Sequence, residues 1–112
     1  MKDVELRKKL LISMQRALWG MVYPSIRAIA VGFEGLKKLK VIYYLDREPI
    51  EYDYENISDV TAEVCADIDF IEIEELCIFT QEPISKLDNL ISWVYIRKED
   101  DSHIYADSGG MK

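Results

Sequence analysis

The chain begins with apolar positions that repeat every three or four residues. Charged side chains lie between them, and the repeat comprises Val4, Leu10, Leu11, Met14, Ala17 and Leu18. Asp3 suits the N-cap position, because a short polar side chain accepts hydrogen bonds from the first backbone amides of a helix. Gly20 suits the C-terminal stop. The pattern predicts an amphipathic helix over residues 3–19, with Trp19 as a core anchor.

The pattern then changes to a period of two, which is typical of strands. Residues 28–33 alternate larger apolar side chains with Ala28, Ala30 and Gly32, a small-residue face against which a helix could dock closely. Glu34-Gly35 indicates a hairpin, since Gly accepts the positive φ of a tight turn. Residues 37–45 are expected to form the returning strand, with the lysines of residues 37–40 on the solvated face of a sheet edge. Its other face would bury Leu39, Val41, Tyr43 and Leu45.

A second helix and two further strands follow. Apolar residues at helical spacing predict a helix over residues 54–68, and they are Ile57, Val60, Val64 and Ile68. The strand pattern of residues 70–80 slips phase at Glu74-Glu75, which favours a β-bulge there. Residues 90–98 predict the last strand, with Trp93 as a second core anchor.

The predicted order is α-β-β-α-β-β, which indicates the α+β class. Residues 1–99 are expected to form a single domain with a mainly antiparallel sheet packed against two helices, since 112 residues suffice for one core. Within each pair of strands we expect antiparallel pairing. Residues 100–112 contain Gly109-Gly110 and no periodicity, so they predict a disordered tail.

The apolar segments are too short to cross a membrane. None approaches the roughly 20 residues that a bilayer requires, and the first residues lack a signal peptide's apolar stretch. We therefore expect a cytoplasmic protein with no membrane contact. Cys65 and Cys77 have no CxxC spacing, so we interpret both as buried free thiols.

The negative charge of the chain is concentrated in one segment. The net charge is −7, but residues 46–75 hold twelve carboxylates and one base, Arg47, for a local charge of −11. Like charges on a folded surface repel one another, so a basic partner is a natural explanation. Tyr52 and Tyr54, beside these carboxylates, are expected to be exposed.

Part of this acidic segment forms a regular row on the second predicted helix. Glu55, Asp59, Glu63 and Asp67 are spaced by four, so they share the face opposite the apolar seam. The candidate partner-binding residues are these four and the carboxylates of the preceding loop, Asp46, Glu48, Glu51 and Asp53. The alternative interpretation is a merely solvated helix face.

These carboxylates are poorly arranged for metal binding or catalysis. A single row places its members about 5.4 Å apart along the helix, too spread for one ion. The one histidine, His103, lies in the predicted tail, and no nucleophile or phosphate-binding motif occurs. We therefore predict no catalytic residue, no metal, no cofactor and no enzyme activity. The acidic composition also argues against direct nucleic-acid binding.

Five short segments spread over residues 5–99 resemble one family of proteins. They are Arg16-Ala-Leu-Trp-Gly20, Pro24-Ser-Ile-Arg-Ala-Ile-Ala-Val31, Tyr43-Tyr-Leu-Asp46, Glu63-Val-Cys-Ala-Asp67 and Trp93-Val-Tyr-Ile-Arg-Lys-Glu99. The chain resembles the small bacterial immunity proteins of contact-dependent growth inhibition and related polymorphic toxin systems. The resemblance implies a cytoplasmic protein that binds and neutralises a cognate toxin domain, commonly a nuclease. It implies no particular binding residues, so the site prediction rests on the acidic segment.

The leading hypothesis is an immunity protein that blocks a basic toxin domain, a nuclease, through its acidic surface. Nucleases present Lys and Arg to phosphates, and carboxylates can occupy that surface instead. The alternative is an acidic adaptor or oligomeric assembly protein whose aromatic strand face mediates association. A third hypothesis, a weak hydrolase, would require two carboxylates close together in a cleft.

Overall fold

Two helices and four strands follow one another in the predicted order. The computed structural model describes residues 2–99. Its elements are α1 Asp3–Ala17, β1 Ile26–Glu34, β2 Lys38–Leu45, α2 Glu51–Asp67, β3 Glu72–Phe79 and β4 Ser92–Ile96, with a short 3-10 turn at Ile84–Lys86 before β4. The predicted α+β class and element order are confirmed. The predicted tail, residues 100–112, lies outside the described residues.

The four strands form one sheet in the order β3-β2-β1-β4. β1 is antiparallel to both β2 and β4, so the mainly antiparallel sheet is confirmed. The predicted pairing of the last two strands with each other is wrong, because β3 and β4 lie at opposite edges. β3 instead runs parallel to β2. Parallel neighbours need a crossover connection, and α2 supplies it.

Two further predictions about the sheet are wrong. β2 is a central strand, so the lysines of residues 37–40 do not lie on a sheet edge, and Lys38 pairs with Glu74 across to β3 at 2.9 Å. The bulge expected at Glu74-Glu75 is also missing from β3, which pairs with β2 residue by residue. The apolar pattern slips there because Glu75 occupies a helix-facing position and accepts a hydrogen bond from the Thr61 hydroxyl.

The main core lies between the helices and one face of the sheet. The predicted inward row of β2 is buried there, Tyr43 included, together with the α2 seam of Ile57, Val60 and Val64. The buried positions of α1 are Leu6, Leu10, Met14 and Ala17. Val4 and Trp19 were expected inside but are exposed. α1 therefore presents a face rotated slightly from the predicted one.

The opposite face of the sheet carries the small residues of β1. The predicted helix does not dock there. Ala28 and Ala30 are instead covered by residues 84–93, among which Trp93 packs edge-on against Tyr44 with ring centroids 5.8 Å apart. A Cβ on Gly32 would lie 3.1 Å from the Cβ of Leu90. The small-residue face thus admits an irregular segment at close range, and Trp93 is confirmed as part of a packed cluster.

Candidate protein-binding surface

The predicted row of carboxylates lies along the solvent face of α2. The apolar seam of the helix turns toward the sheet, so residues spaced by four on the other side face outward. The helix begins at Glu51 rather than near residue 54, so Glu51 joins the row as its first member. The exposed carboxylates of the row are Glu51, Glu55, Asp59, Glu63 and Asp67.

Most of these side chains have no partner in the described part of the chain. Among residues 2–99, Glu51, Glu55, Asp59 and Glu63 form no ion pair or side-chain hydrogen bond, and neither does exposed Glu48 just ahead of the helix. We call these five residues the acidic face. Like charges spaced by four on a helix repel each other, by about 0.2–0.5 kcal/mol for each pair. The acidic face is therefore an array of negative charge that no other residue between 2 and 99 neutralises.

Asp67, the last carboxylate of the row, is bound by α1. Its Oδ2 accepts hydrogen bonds from the Ser13 hydroxyl at 2.7 Å and from Nη2 of Arg16 at 2.8 Å. These contacts join the C-terminal turns of the two helices. Arg16 also places a positive charge near the end of α2, where the helix dipole disfavours a carboxylate.

Asp53 does not lie on the exposed surface. It was predicted in the loop before the helix, but it occupies the first turn of α2 and its side chain is 0% exposed. Its carboxylate accepts hydrogen bonds from the Tyr23 hydroxyl at 2.5 Å, from the Ile50 amide at 2.7 Å and from Arg47. Burial alone would raise the pKa of Asp53, but these hydrogen bonds outweigh it and hold the pKa below its usual value. Asp53 thus anchors the loop that carries Glu48.

Asp46 is exposed but belongs to an ion-pair network. Its Oδ2 accepts a hydrogen bond from Nη1 of Arg97 at 2.7 Å, and Arg97 also contacts Glu99. Glu99 in turn binds two guanidinium nitrogens of the buried Arg27, at 2.7 and 2.8 Å. The hydrogen bond from Arg27 is the main cause that lowers the pKa of Glu99. The network fastens the segment after β4 to β1 and to the end of β2.

Two tyrosines flank the start of the acidic face. Tyr52 and Tyr54 are exposed, as predicted, and Tyr52 packs edge-on against Tyr23 with ring centroids 5.0 Å apart. By contrast, Tyr43 and Tyr44 on β2 are both buried. The aromatic strand face that the adaptor hypothesis requires is therefore largely covered by the chain itself.

Sequence reasoning missed a groove beside the acidic face. It has a volume of about 430 Å³ and lies between the C-terminal turns of the helices, lined by Ser13, Arg16, Trp19, Glu63, Ala66 and Asp67. Trp19 was assigned to the core, but it is 76% exposed. The helical spacing of apolar residues could have indicated this exposure. The buried row of α1 ends with Met14, Ala17 and Leu18, and position 19 falls outside that row.

The carboxylates do not gather into a chemical centre. Within residues 2–99, no three His, Cys, Asp or Glu side chains lie close enough together to hold a metal ion. No helix in this part of the chain is both long and apolar enough to cross a membrane. The predicted buried thiols are half-buried, and burial raises the pKa of Cys65 and brings that of Cys77 to about 12.

The described residues form a small α+β domain with a row of exposed carboxylates along α2. The family model of the MafI2 immunity proteins matches residues 7–99. The chain belongs to this family, so the resemblance to immunity proteins is confirmed. No curated protein matches the chain.

Solved structures of the MamM CTD are among those to which this chain is similar. The copper form of MamM CTD has a TM-score of 0.45 and 16% identity, covering 79% of this chain and 94% of that chain. A MamM-CTD variant has the same TM-score and identity and covers 71% of this chain and 100% of its own. No functional conclusion follows from similarity at this level.

Proposed function

We propose that this immunity protein binds a cognate toxin domain through its acidic face and thereby neutralises it. The observation that carries the proposal is the acidic face itself, whose five exposed carboxylates lie on one side of α2 and have no partner among residues 2–99. A fold that only needed a solvated helix would gain stability from a Lys or Arg at one of these positions. The sequence has no base between Arg47 and Lys86. A partner that supplies the missing positive charge accounts for this pattern.

The chemistry of the partner follows from the charge of the surface. A nuclease domain carries Lys and Arg that contact phosphates, so it offers a basic surface complementary to the acidic face. Opposite fields speed the encounter of two proteins, and an inhibitor must capture its toxin before damage occurs. The immunity protein would then act in the cytoplasm by occupying that basic surface, without catalysis, as in contact-dependent growth inhibition.

The buried and paired carboxylates have supporting parts in this proposal. Asp53 holds the loop that presents Glu48, and Asp67 joins α2 to α1. Asp46 lies at the margin of the surface, tied to Arg97. Asp53 and Asp67 thus position the elements that carry the acidic face.

Charge reversal at the centre of the acidic face tests the proposal. The assay uses the toxin domain against which the protein protects cells, and it measures association rate, affinity and protection. We expect Asp59→Lys to slow association by about tenfold at low salt, and added salt to slow the unmodified pair steeply. The fold should not weaken, because the new lysine lies four residues from both Glu55 and Glu63 and gains about 0.4–1 kcal/mol.

The matched control is Glu82→Lys. Glu82 is exposed and lies outside the acidic segment, and Glu82→Lys changes the net charge by the same amount as Asp59→Lys. It should leave association nearly unchanged. Equal effects of the two variants on the association rate would show that only the net charge of the protein matters. If neither added salt nor Asp59→Lys changed the association rate, the acidic face would be excluded as the binding surface.

A further inference from the structure

Trp19 is held outside the core by the turn that ends α1. Leu18 continues the buried row and its amide donates to the Met14 carbonyl, so the next side chain points away from the core. The Trp19 amide donates to the Arg16 carbonyl, and Gly20 follows with a φ of +74°. The indole is thus presented on an ordered turn. An exposed tryptophan on rigid backbone is the kind of residue that dominates the binding energy of protein interfaces.

One wall of the groove beside Trp19 is built from hydrogen bonds between the two helices. Ser13 and Arg16 both bind the same oxygen of Asp67, which holds the two helices together along the groove. Ala66 lines the groove with only a methyl group, and the volume of about 430 Å³ leaves room for a long side chain from a partner. The wall formed by Ser13, Arg16 and Asp67 is already in place before binding, so no free energy is lost to forming those contacts.

The lining of the groove favours a cation. Arg16 and Asp67 neutralise each other, which leaves Glu63 without a partner among the described residues. Glu63 is also the last member of the acidic face, so the groove continues that surface toward α1. A Lys or Arg side chain is attracted both to the face of an indole ring and to a carboxylate. An acidic side chain would be repelled by Glu63, and a purely apolar side chain would contact Trp19 but leave Glu63 unpaired.

We propose that the groove between α1 and α2 receives a Lys or Arg side chain of the toxin domain, stacked on Trp19 and paired with Glu63. This inference rests on the proposed function, and it makes Trp19 the anchor of the interface. The acidic face then supplies long-range attraction, whereas the groove supplies the short-range contact that slows dissociation.

The test replaces Trp19 with residues that separate the two sources of binding energy. We expect Trp19→Leu, which keeps an apolar side chain without an aromatic ring, to speed dissociation of the toxin domain by about tenfold or more. Trp19→Phe retains a weaker cation–π contact and should have a smaller effect. Glu63→Gln should weaken binding about two- to fivefold, the range of an exposed ion pair. The matched control is Ile12→Ala, another exposed apolar residue of α1 that does not line the groove.

Fluorescence gives a second readout. The emission of Trp19 should shift to shorter wavelength in the complex, and the shift should vanish in Trp19→Phe while Trp93 remains as an internal reference. Equal dissociation rates for Trp19→Leu and Trp19→Phe would overturn the cation assignment. An unshifted Trp19 emission in a complex of full affinity would overturn the groove itself but leave the acidic face intact. Self-association of the free protein that Trp19→Leu abolishes would assign the groove to a second copy of this chain and overturn the proposal.

Discussion

Arg47 binds Asp53 through both of its terminal nitrogens. Nη1 lies 2.7 Å from Oδ2 of Asp53, and Nη2 lies 3.0 Å from Oδ1. The guanidinium also donates to the Glu48 carbonyl and, through Nε, to the Ser25 hydroxyl. Arg47, the only base of the acidic segment, therefore forms an ion pair with Asp53, the only fully buried carboxylate of that segment. The five carboxylates of the acidic face therefore receive no counter-charge from Arg47 or from any other residue between 2 and 99.

Removal of the Asp53 charge should destabilise the fold. Asp53→Asn leaves Arg47 without its carboxylate and weakens the bonds from Tyr23 and the Ile50 amide. Because the Arg47 side chain is 34% exposed, we expect the lower end of the usual penalty, a loss of about 2–3 kcal/mol. Urea unfolding would show this as a lower midpoint with an unchanged slope. The control is Glu55→Gln, since Glu55 lies on the same helix and its carboxylate has no partner among residues 2–99. This substitution should change the free energy of unfolding by less than about 0.5 kcal/mol.

Low pH should reduce the stability of the fold because it protonates the carboxylates of Asp53 and Glu99. Hydrogen bonds from guanidinium groups hold the pKa of both below the values of the unfolded chain, about 3.9 for Asp and about 4.3 for Glu. The folded state therefore binds these protons less readily than the unfolded state does. Their contribution is complete above about pH 5 and is lost as the pH falls through the lowered pKa values.

Urea titrations at several pH values check this expectation. The difference in free energy of unfolding between the unmodified protein and Asp53→Asn should shrink as the pH drops from about 6 to about 2. Glu99→Gln should show the same convergence. A constant difference between Asp53→Asn and the unmodified protein would contradict the assignment.

A side chain at position 32 should destabilise the fold, because Leu90 packs directly against Gly32. Gly32→Ala places a Cβ 3.1 Å from the Cβ of Leu90, which itself has a φ of +53°. We expect a loss of about 1–3 kcal/mol from overpacking. Leu90→Gly removes the opposing atom and suits the positive φ, so Gly32→Ala should be less costly in that background. A double-mutant cycle of urea midpoints measures the coupling, and equal penalties in both backgrounds would refute the clash.

Cys77 should be a slow-reacting thiol. Burial raises its pKa to about 12, and the thiolate is the species that reacts with disulfide reagents. In a Cys65→Ser variant, labelling at neutral pH should be more than about a hundredfold slower for the folded protein than for the protein in urea. Labelling at equal rates in the two states would show that Cys77 is open to solvent.

The sequence predicted α2 and its row of carboxylates because both depend on local spacing. Residues four apart in a helix share a face wherever the helix lies, so Ile57 and Val60 indicated the buried side and Asp59 the exposed one. The inward row of β2 followed in the same way from its period of two. In a strand too, the side chains alternate between faces whatever the neighbouring strand is.

The tertiary structure decided what depends on contacts between distant parts of the chain. The position of β3 beside β2 depends on the path of α2, and the burial of Asp53 depends on Tyr23, thirty residues earlier in the sequence. Trp19 is exposed because the turn after Leu18 directs its side chain outward, although a large aromatic residue was expected in the core. Periodicity along the chain determines which side of an element is apolar. Which elements meet, and which charges are neutralised there, is determined only when the whole chain packs.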